Sequence, residues 1–344
     1  MLEVEAHAMT ALLSLENVSK HFRMRASLLG RLLAGQADRV VHAVNGVSLD
    51  IQQNETLGLV GESGSGKSTL GRVAIRLSEP TAGRIRLDGE DISRVAGGRL
   101  RQLRKNMQVI FQNPYSSLNP RKTVRQIVGS ALEVRGVDRF DDQEAETIAL
   151  LRRVSLPERF IDAYPHQLSG GQRQRISIIR ALAVRPRLIV ADEPVSALDV
   201  SVQAQIIRLL EELQAEFHLT YLFIAHDLRV VWHISDRVAV MYLGKVLEIG
   251  QGDEIFQNPR HPYTRALLAA IPRLDRRGVS NRVVLGGTIP SPLRPPPGCC
   301  FQTRCPEKVG PVCETVEPAW VALSPSHRAA CHRLGGPGAA GGDL

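Results

Sequence analysis

The chain has 344 residues, 43% apolar and 23% charged, which is the composition of an ordinary globular protein of about two domains. That excludes whole-chain disorder, a collagen repeat and a coiled coil, and no uninterrupted apolar run reaches the ~18 residues that span a bilayer. The net charge of +8, with all but six of the 43 basic residues being Arg, permits nucleic acid, anionic lipid or nucleotide phosphate as a partner and selects none of them.

Residues 1–10 carry two Glu and lack the basic start and apolar stretch of a secretory signal. The expected setting is therefore cytoplasmic. Alternating stretches follow at 13–18 and 41–51. Between them, residues 23–39 are basic and amphipathic, with Leu28, Leu29, Leu32 and Leu33 on one side. That stretch reads either as a hairpin excursion with a partly buried face or as a contact for lipid or a partner.

From 56 to 258 short apolar strands alternate with amphipathic helices, an α/β pattern. Strands are expected at 56–60, 188–191 and 220–225. A helix is expected over 67–78, with Leu70, Val73, Ala74 and Leu77 on one face, and another carries Val202, Ile206, Leu209 and Leu213. Residues 238–243 and 246–249 flank Gly244 and Lys245 as a hairpin. A tail begins near Arg273. Pro290, Pro292, Pro295, Pro296 and Pro297 mark an extended linker, a cysteine segment follows, and residues 335–344 are Gly-rich and expected to be disordered.

Gly61-Glu62-Ser63-Gly64-Ser65-Gly66-Lys67-Ser68-Thr69 fits G-x-x-x-x-G-K-[ST] between an expected strand and an expected helix. Glycines let such a loop wrap phosphate without Cβ clashes, and the loop N–H groups and helix start face the anion. Lys67 is expected to reach the β- and γ-phosphates and Ser68 to ligate Mg²⁺. Asp192 and Glu193 end an apolar strand 125 residues beyond Lys67. By themselves they suit a solvated turn as well as a site. Paired with the loop, Asp192 can hold the metal through water and Glu193 can polarise the attacking water.

The string Leu168-Ser169-Gly170-Gly171-Gln172, followed by Arg173-Gln174-Arg175, resembles the signature of ABC-type ATPases. Other elements stand in that family's order. Gln112 matches the Q-loop, Ser196-Ala197-Leu198-Asp199 the D-loop, His226 the switch histidine and Phe22 the aromatic that stacks on adenine. The resemblance covers about residues 12–270. It implies a P-loop NTPase with a RecA-like α/β core, an N-terminal β subdomain and an inserted helical subdomain over about 113–184. It also implies that Ser169, Gly170, Gly171, Gln172 and Asp199 serve the ATP of a partner subunit, and that Gln112 joins Ser68 and Asp192 at Mg²⁺. Glu193, His226 and Gln112 would then be the catalytic set. ATPases of this type that act on DNA carry long coiled-coil insertions, and the translation type carries two cassettes per chain. This chain shows neither, so no nucleic-acid partner is expected.

The run 193–205, Ser117-Leu118-Asn119-Pro120-Arg121 and His261-Pro262-Tyr263-Thr264-Arg265-Ala266-Leu267 resemble ATPases of oligopeptide and dipeptide importers. The Pro-Val-Ser-Ala run at 194–197 and Met241-Tyr242-Leu243-Gly244 are similar to the second, F-type subunit. Partners implied are a second non-identical ABC ATPase, two membrane permeases and an extracytoplasmic substrate-binding protein. The chain would sit peripherally at the cytoplasmic face of the cell membrane. Nickel and glutathione importers share much of the pattern. Residues 1–11 form an extension, and Met9 stands where such chains usually start.

All five cysteines lie between Cys299 and Cys331. Residues 271–334 resemble the importers' C-terminal extension, with Cys299, Cys305, Cys313 and Cys331 spaced C-x5-C-x7-C-x17-C. The resemblance implies a [4Fe–4S] cluster on these four. Zn²⁺ and buried thiols without metal are the alternatives, and Cys300 is a rival to Cys299.

Overall fold

The computed structural model describes residues 11–24, 39–270, 286 and 288–335. The expectations for residues 1–10, for Leu28, Leu29, Leu32 and Leu33, for the start of the linker and for 336–344 lie outside the described residues.

The strands are β1 (Leu13–Met24), β2 (Arg39–Ile51), β3 (Thr56–Val60), β4 (Ala82–Leu87), β5 (Glu90–Asp91), β6 (Met107–Ile110), β7 (Leu188–Asp192), β8 (Thr220–Ile224), β9 (Arg237–Tyr242), β10 (Lys245–Gln251), β11 (Trp320–Ala322) and β12 (Arg328–Ala330). They form two sheets. The N-terminal strands make an antiparallel sheet in the order β2-β1-β4-β5. Alternation in β1 and β2 buries Leu13, Leu15, Val47, Leu49 and Ile51 on one face.

The larger sheet has the order β11-β12-β10-β9-β3-β8-β7-β6. Its centre is parallel: β3 pairs with β8 and β9, β7 with β8, and β6 with β7. Every residue of β3, β7 and β8 is buried. These strands are continuous apolar runs because layers cover both of their faces. On one side lies the helix Lys67–Ala74, sandwiched with Leu70, Val73 and Ala74 between the central sheet and the N-terminal sheet. Gly71 lets it approach closely, since a Cβ there would stand 2.7 Å from Ile224 Cδ1. On the other side lie the helices Val124–Arg135, Phe140–Arg153, Gly170–Leu182 and Val200–Phe217.

Two local expectations shift. The helix from Lys67 stops at Ala74 rather than continuing to residue 78. Arg76 adopts a left-handed φ of 57° and donates to the carbonyls of Ile92 and Val95, and Leu77 stays exposed. The hairpin turn falls on Leu243 and Gly244, with φ of 45° and 83°, one residue earlier than expected. Both φ values are positive, as a two-residue turn of type I′ requires.

The C-terminal segment is part of the core. β12 adds antiparallel to β10 and β11 closes that edge. Phe301 is fully buried among Tyr242, Tyr263 and His261, with ring centroids at 5.3, 5.3 and 5.8 Å.

Candidate functional site

Parallel strands place their carboxyl ends along one edge, and in open α/β sheets the ligand crevice lies there. The loop after β3 is the P-loop, Asp192 ends β7 and Glu193 follows it, and His226 stands two residues beyond β8. Gln112 stands two residues beyond β6. Strand order has therefore gathered four segments that are far apart in sequence.

Gly61 and Gly66 hold the P-loop in backbone no other residue would adopt comfortably, with φ of 152° and 106°. A Cβ would stand 2.0 Å from the Met241 carbonyl at Gly61 and 2.2 Å from the Ala43 carbonyl at Gly66. Lys67 is buried, and its ammonium donates to the carbonyls of Gly61 (2.7 Å) and Glu62 (2.9 Å). Burial lowers its pKa against the opposing pull of Glu193, Asp192 and Glu62. Ser63 and Gly64 are exposed, Ser65 is buried, and Ser68 and Thr69 are half-buried at the helix start.

The Ser68 hydroxyl donates to Asp192 Oδ1 at 2.6 Å, and Arg72 stands 3.8 Å from Asp192 Oδ2. Burial raises the Asp192 carboxyl, while Ser68 and Arg72 lower it. This hydroxyl and carboxylate are two oxygen donors of the type Mg²⁺ takes alongside substrate phosphates. They fit the group. Beside them, Glu193 leaves its strand with a φ of 48°. Its Oε2 accepts from Gln112 Nε2 at 2.8 Å and meets His226 Nδ1 at 3.3 Å. All three expected catalytic side chains thus converge on one carboxylate oxygen.

Ser169 is the N-cap of the helix Gly170–Leu182. Its Oγ accepts from Gln172 N–H at 3.3 Å, and Gln172 Oε1 accepts from Ser169 N–H at 2.9 Å. Gln172 thus shapes the helix entry, a capping role its place in the signature did not reveal. Gly171 lets the helix start lie against the segment after Asp199: a Cβ there would be 2.7 Å from Val202 Cγ1. Ser169 and Asp199 are exposed, as is Val200 at 81%. Phe22 is 44% exposed with the Lys20 ammonium over its ring at 5.1 Å. It pairs with Val41, two residues from the Ala43 carbonyl that abuts Gly66.

Sequence reasoning gave no role to three groups around the loop. Tyr263 Oη accepts from Glu62 N–H at 2.9 Å, and Arg304 grips the Glu62 carboxylate at 2.6 and 3.0 Å. Tyr242 Oη lies 3.4 Å from the same guanidinium. No local pattern signals such contacts.

The [4Fe–4S] or Zn²⁺ expectation for Cys299, Cys305, Cys313 and Cys331 gains no support: among the described residues, no group of three or more His, Cys, Asp or Glu could hold a metal ion. The four are free thiols. Burial raises Cys299 to about 11, and burial also raises Cys305 and Cys331, with neighbouring thiols adding to each. Every pairing among the four contributes to these shifts, so they lie in one neighbourhood. Cys300 points elsewhere, its Sγ 3.9 Å from the Tyr242 carbonyl.

A parallel sheet with a phosphate loop after one strand and an acidic pair at the end of another defines a P-loop ATPase. Residues 44–196 match the family described as ABC transporter, and 247–313 that described as oligopeptide/dipeptide transporter, C-terminal region. The chain is 51% identical over 324 residues to the oligopeptide transport ATP-binding protein AppF of Bacillus subtilis, covering 93% of this chain and 97% of that one. It is 45% identical over 314 residues to the dipeptide transport ATP-binding protein DppF of Escherichia coli, covering 91% and 92%. Among solved structures, an ATP-binding cassette captured as a post-hydrolysis dimer with ADP and Pi superposes with a TM-score of 0.61 at 29% identity, covering 70% of this chain and 98% of that one. The cbiO1 cassette of Clostridium perfringens gives 0.60 at 27%, covering 72% and 91%. The chain belongs to the ABC transporter ATPases, in the group that carries the oligopeptide/dipeptide transporter C-terminal region. No described helix is long and apolar enough to cross a membrane.

Proposed function

We propose that this ATPase powers uptake of oligopeptides or dipeptides from the cytoplasmic face of the membrane. It would work beside a second, non-identical ABC ATPase on two permeases fed by an extracytoplasmic binding protein. The observation that carries this reading is the 51% identity to an oligopeptide transport ATP-binding protein along nearly its full length.

The site supports the following roles. Phosphates enter the loop 61–69 and draw the Lys67 ammonium from the Gly61 and Glu62 carbonyls. Phe22 lies beneath adenine. Ser68, Asp192 and Gln112 would hold Mg²⁺, which would supply neutralisation of phosphate charge when bound. Glu193 polarises the attacking water while Gln112 and His226 orient its Oε2. The helix start at Ser169, Gly170, Gly171 and Gln172, with exposed Asp199 beside it, completes the site of the partner subunit, because helix N-termini favour anions. ATP closes the pair, hydrolysis reopens it, and the helices between Gln112 and the signature carry the motion to the permeases.

A [4Fe–4S] cluster on Cys299, Cys305, Cys313 and Cys331, with Zn²⁺ as the alternative, rests on the resemblance of the C-terminal extension and on four free thiols that share one neighbourhood. Cys299 rather than Cys300 belongs to the set.

The deciding experiment coexpresses the chain with its neighbouring ATPase and permeases and measures ATP hydrolysis in proteoliposomes with a peptide-loaded binding protein. Peptide-dependent stimulation is expected. Stimulation by nickel or a glutathione conjugate alone, or full activity of the chain as an isolated monomer, overturns the reading.

A further inference from the structure

We propose that Arg304, in the C-terminal segment, is a positioning residue for the P-loop: by neutralising and fixing Glu62 it keeps that carboxylate away from Lys67 and so sets the affinity for ATP.

Glu62 is the second residue of the phosphate loop, an awkward place for a carboxylate. A free negative charge there repels a triphosphate and competes with it for Lys67, whose ammonium already binds the Glu62 carbonyl at 2.9 Å. Glu62 is also one of the charges that act on Lys67. The fold restrains Glu62 at three points. Its N–H donates to Tyr263 Oη, its carbonyl takes Lys67 Nζ, and its carboxylate takes both arms of the Arg304 fork. Two parallel charge-assisted bonds fix direction as well as charge.

Arg304 is itself built in. Its side chain is 5% exposed, against 23% for Glu62. The guanidinium lies by Tyr242 Oη and over the Tyr242 ring at 5.8 Å. Phe301, three residues earlier and fully buried, holds the segment against Tyr242 and Tyr263. Glu62 and Arg304 are 242 positions apart, so this contact makes the C-terminal segment a wall of the nucleotide site. Lys at 304 would keep the charge and lose the fork.

The inference rests on nucleotide binding by the P-loop, so binding of trinitrophenyl-ATP and its displacement by Mg-ATP are measured first on the parental full-length chain. No binding by the parent condemns the P-loop reading itself. Given parental binding, Arg304→Met is expected to raise the Kd for ATP about tenfold, a typical coupling between linked sites. In the coexpressed complex KM should rise while kcat at saturating ATP stays within about twofold. The decisive variant is Glu62→Gln with Arg304→Met. It removes the stray carboxylate and should return the Kd to within about threefold of the parent, which a merely structural arginine would not allow. Arg304→Lys should fall between the two. Parental affinity in Arg304→Met, or a double variant that binds no better than the single one, overturns the proposal. Should Arg304→Met fail to fold, Arg304→Lys decides: a raised Kd supports the proposal and a parental Kd overturns it.

Discussion

Replacing Glu248 by Ala tests whether the C-terminal segment is bonded into the core rather than resting on it. Glu248 lies in β10 and is completely buried. Its Oε1 accepts from the Arg260 N–H at 2.7 Å and meets His327 Nε2 at 2.7 Å, and its Oε2 accepts from the His261 N–H at 3.0 Å. The first and last of these fix the lead-in to the helix Pro262–Ala269, which carries Tyr263. The second ties the C-terminal strand pair to the sheet. Alanine leaves three donors without an acceptor, at about 1–3 kcal/mol each. Water entering the vacated volume holds the total near the lower half of that sum, about 3–5 kcal/mol, as for loss of one partner from a buried pair. At about 2–4 °C per kcal/mol for domains of this size, the midpoint should fall by about 10 °C. Thermal unfolding followed by circular dichroism, without nucleotide, reads this directly.

The same carboxylate gives a pH signature. Burial would raise Glu248, but His327 first, with Thr264 and the backbone N–H groups of Arg260 and His261, outweighs it and holds the carboxyl below its ordinary value. A depressed folded pKa stabilises the fold above the unfolded value, and that contribution is lost as pH falls through the folded one. The gap between parent and Glu248→Gln should therefore be full at neutral pH and close below about pH 4. A Glu248→Ala midpoint within about 2 °C of the parent refutes the reasoning.

Glu193→Gln should lower kcat of the reconstituted complex by about 10²–10⁴-fold and leave ATP affinity unchanged, since the general base is lost while Lys67 and Ser68 stay; hydrolysis near the parental rate contradicts that role. Gly66→Ala should abolish ATP binding with secondary structure retained, because its φ is 106° and the new Cβ would meet the Ala43 carbonyl; parental affinity in a binding titration would count against the loop geometry. The proposed cluster, if it forms, would give about four irons per chain and broad visible absorption on anaerobic purification, lost in Cys305→Ser or Cys313→Ser and kept in Cys300→Ser; a colourless preparation with one zinc per chain would favour zinc, and one with neither metal would leave four structural thiols.

What the sequence determined by itself was whatever short-range chemistry dictates. The loop 61–69 must be glycine-rich to wrap phosphate, and the apolar run before Asp192 and Glu193 must be a buried strand. Each is a contiguous string with its own physical reason. Helix ends were less legible: Leu77 continues the apolar period of 67–78, yet the chain leaves the helix because the Arg76 guanidinium finds the carbonyls of Ile92 and Val95. Only the tertiary structure decided which distant groups share one crevice. Parallel pairing of β6, β7, β8 and β3 brings Gln112, Glu193 and His226 together beside the P-loop. The C-terminal segment reads in sequence as a proline linker and a run of cysteines. Its strand β12, its buried Phe301 and its Arg304 on Glu62 exist only once the edge of the sheet is there to receive them, because a contact across 242 residues has no period, spacing or local propensity to announce it.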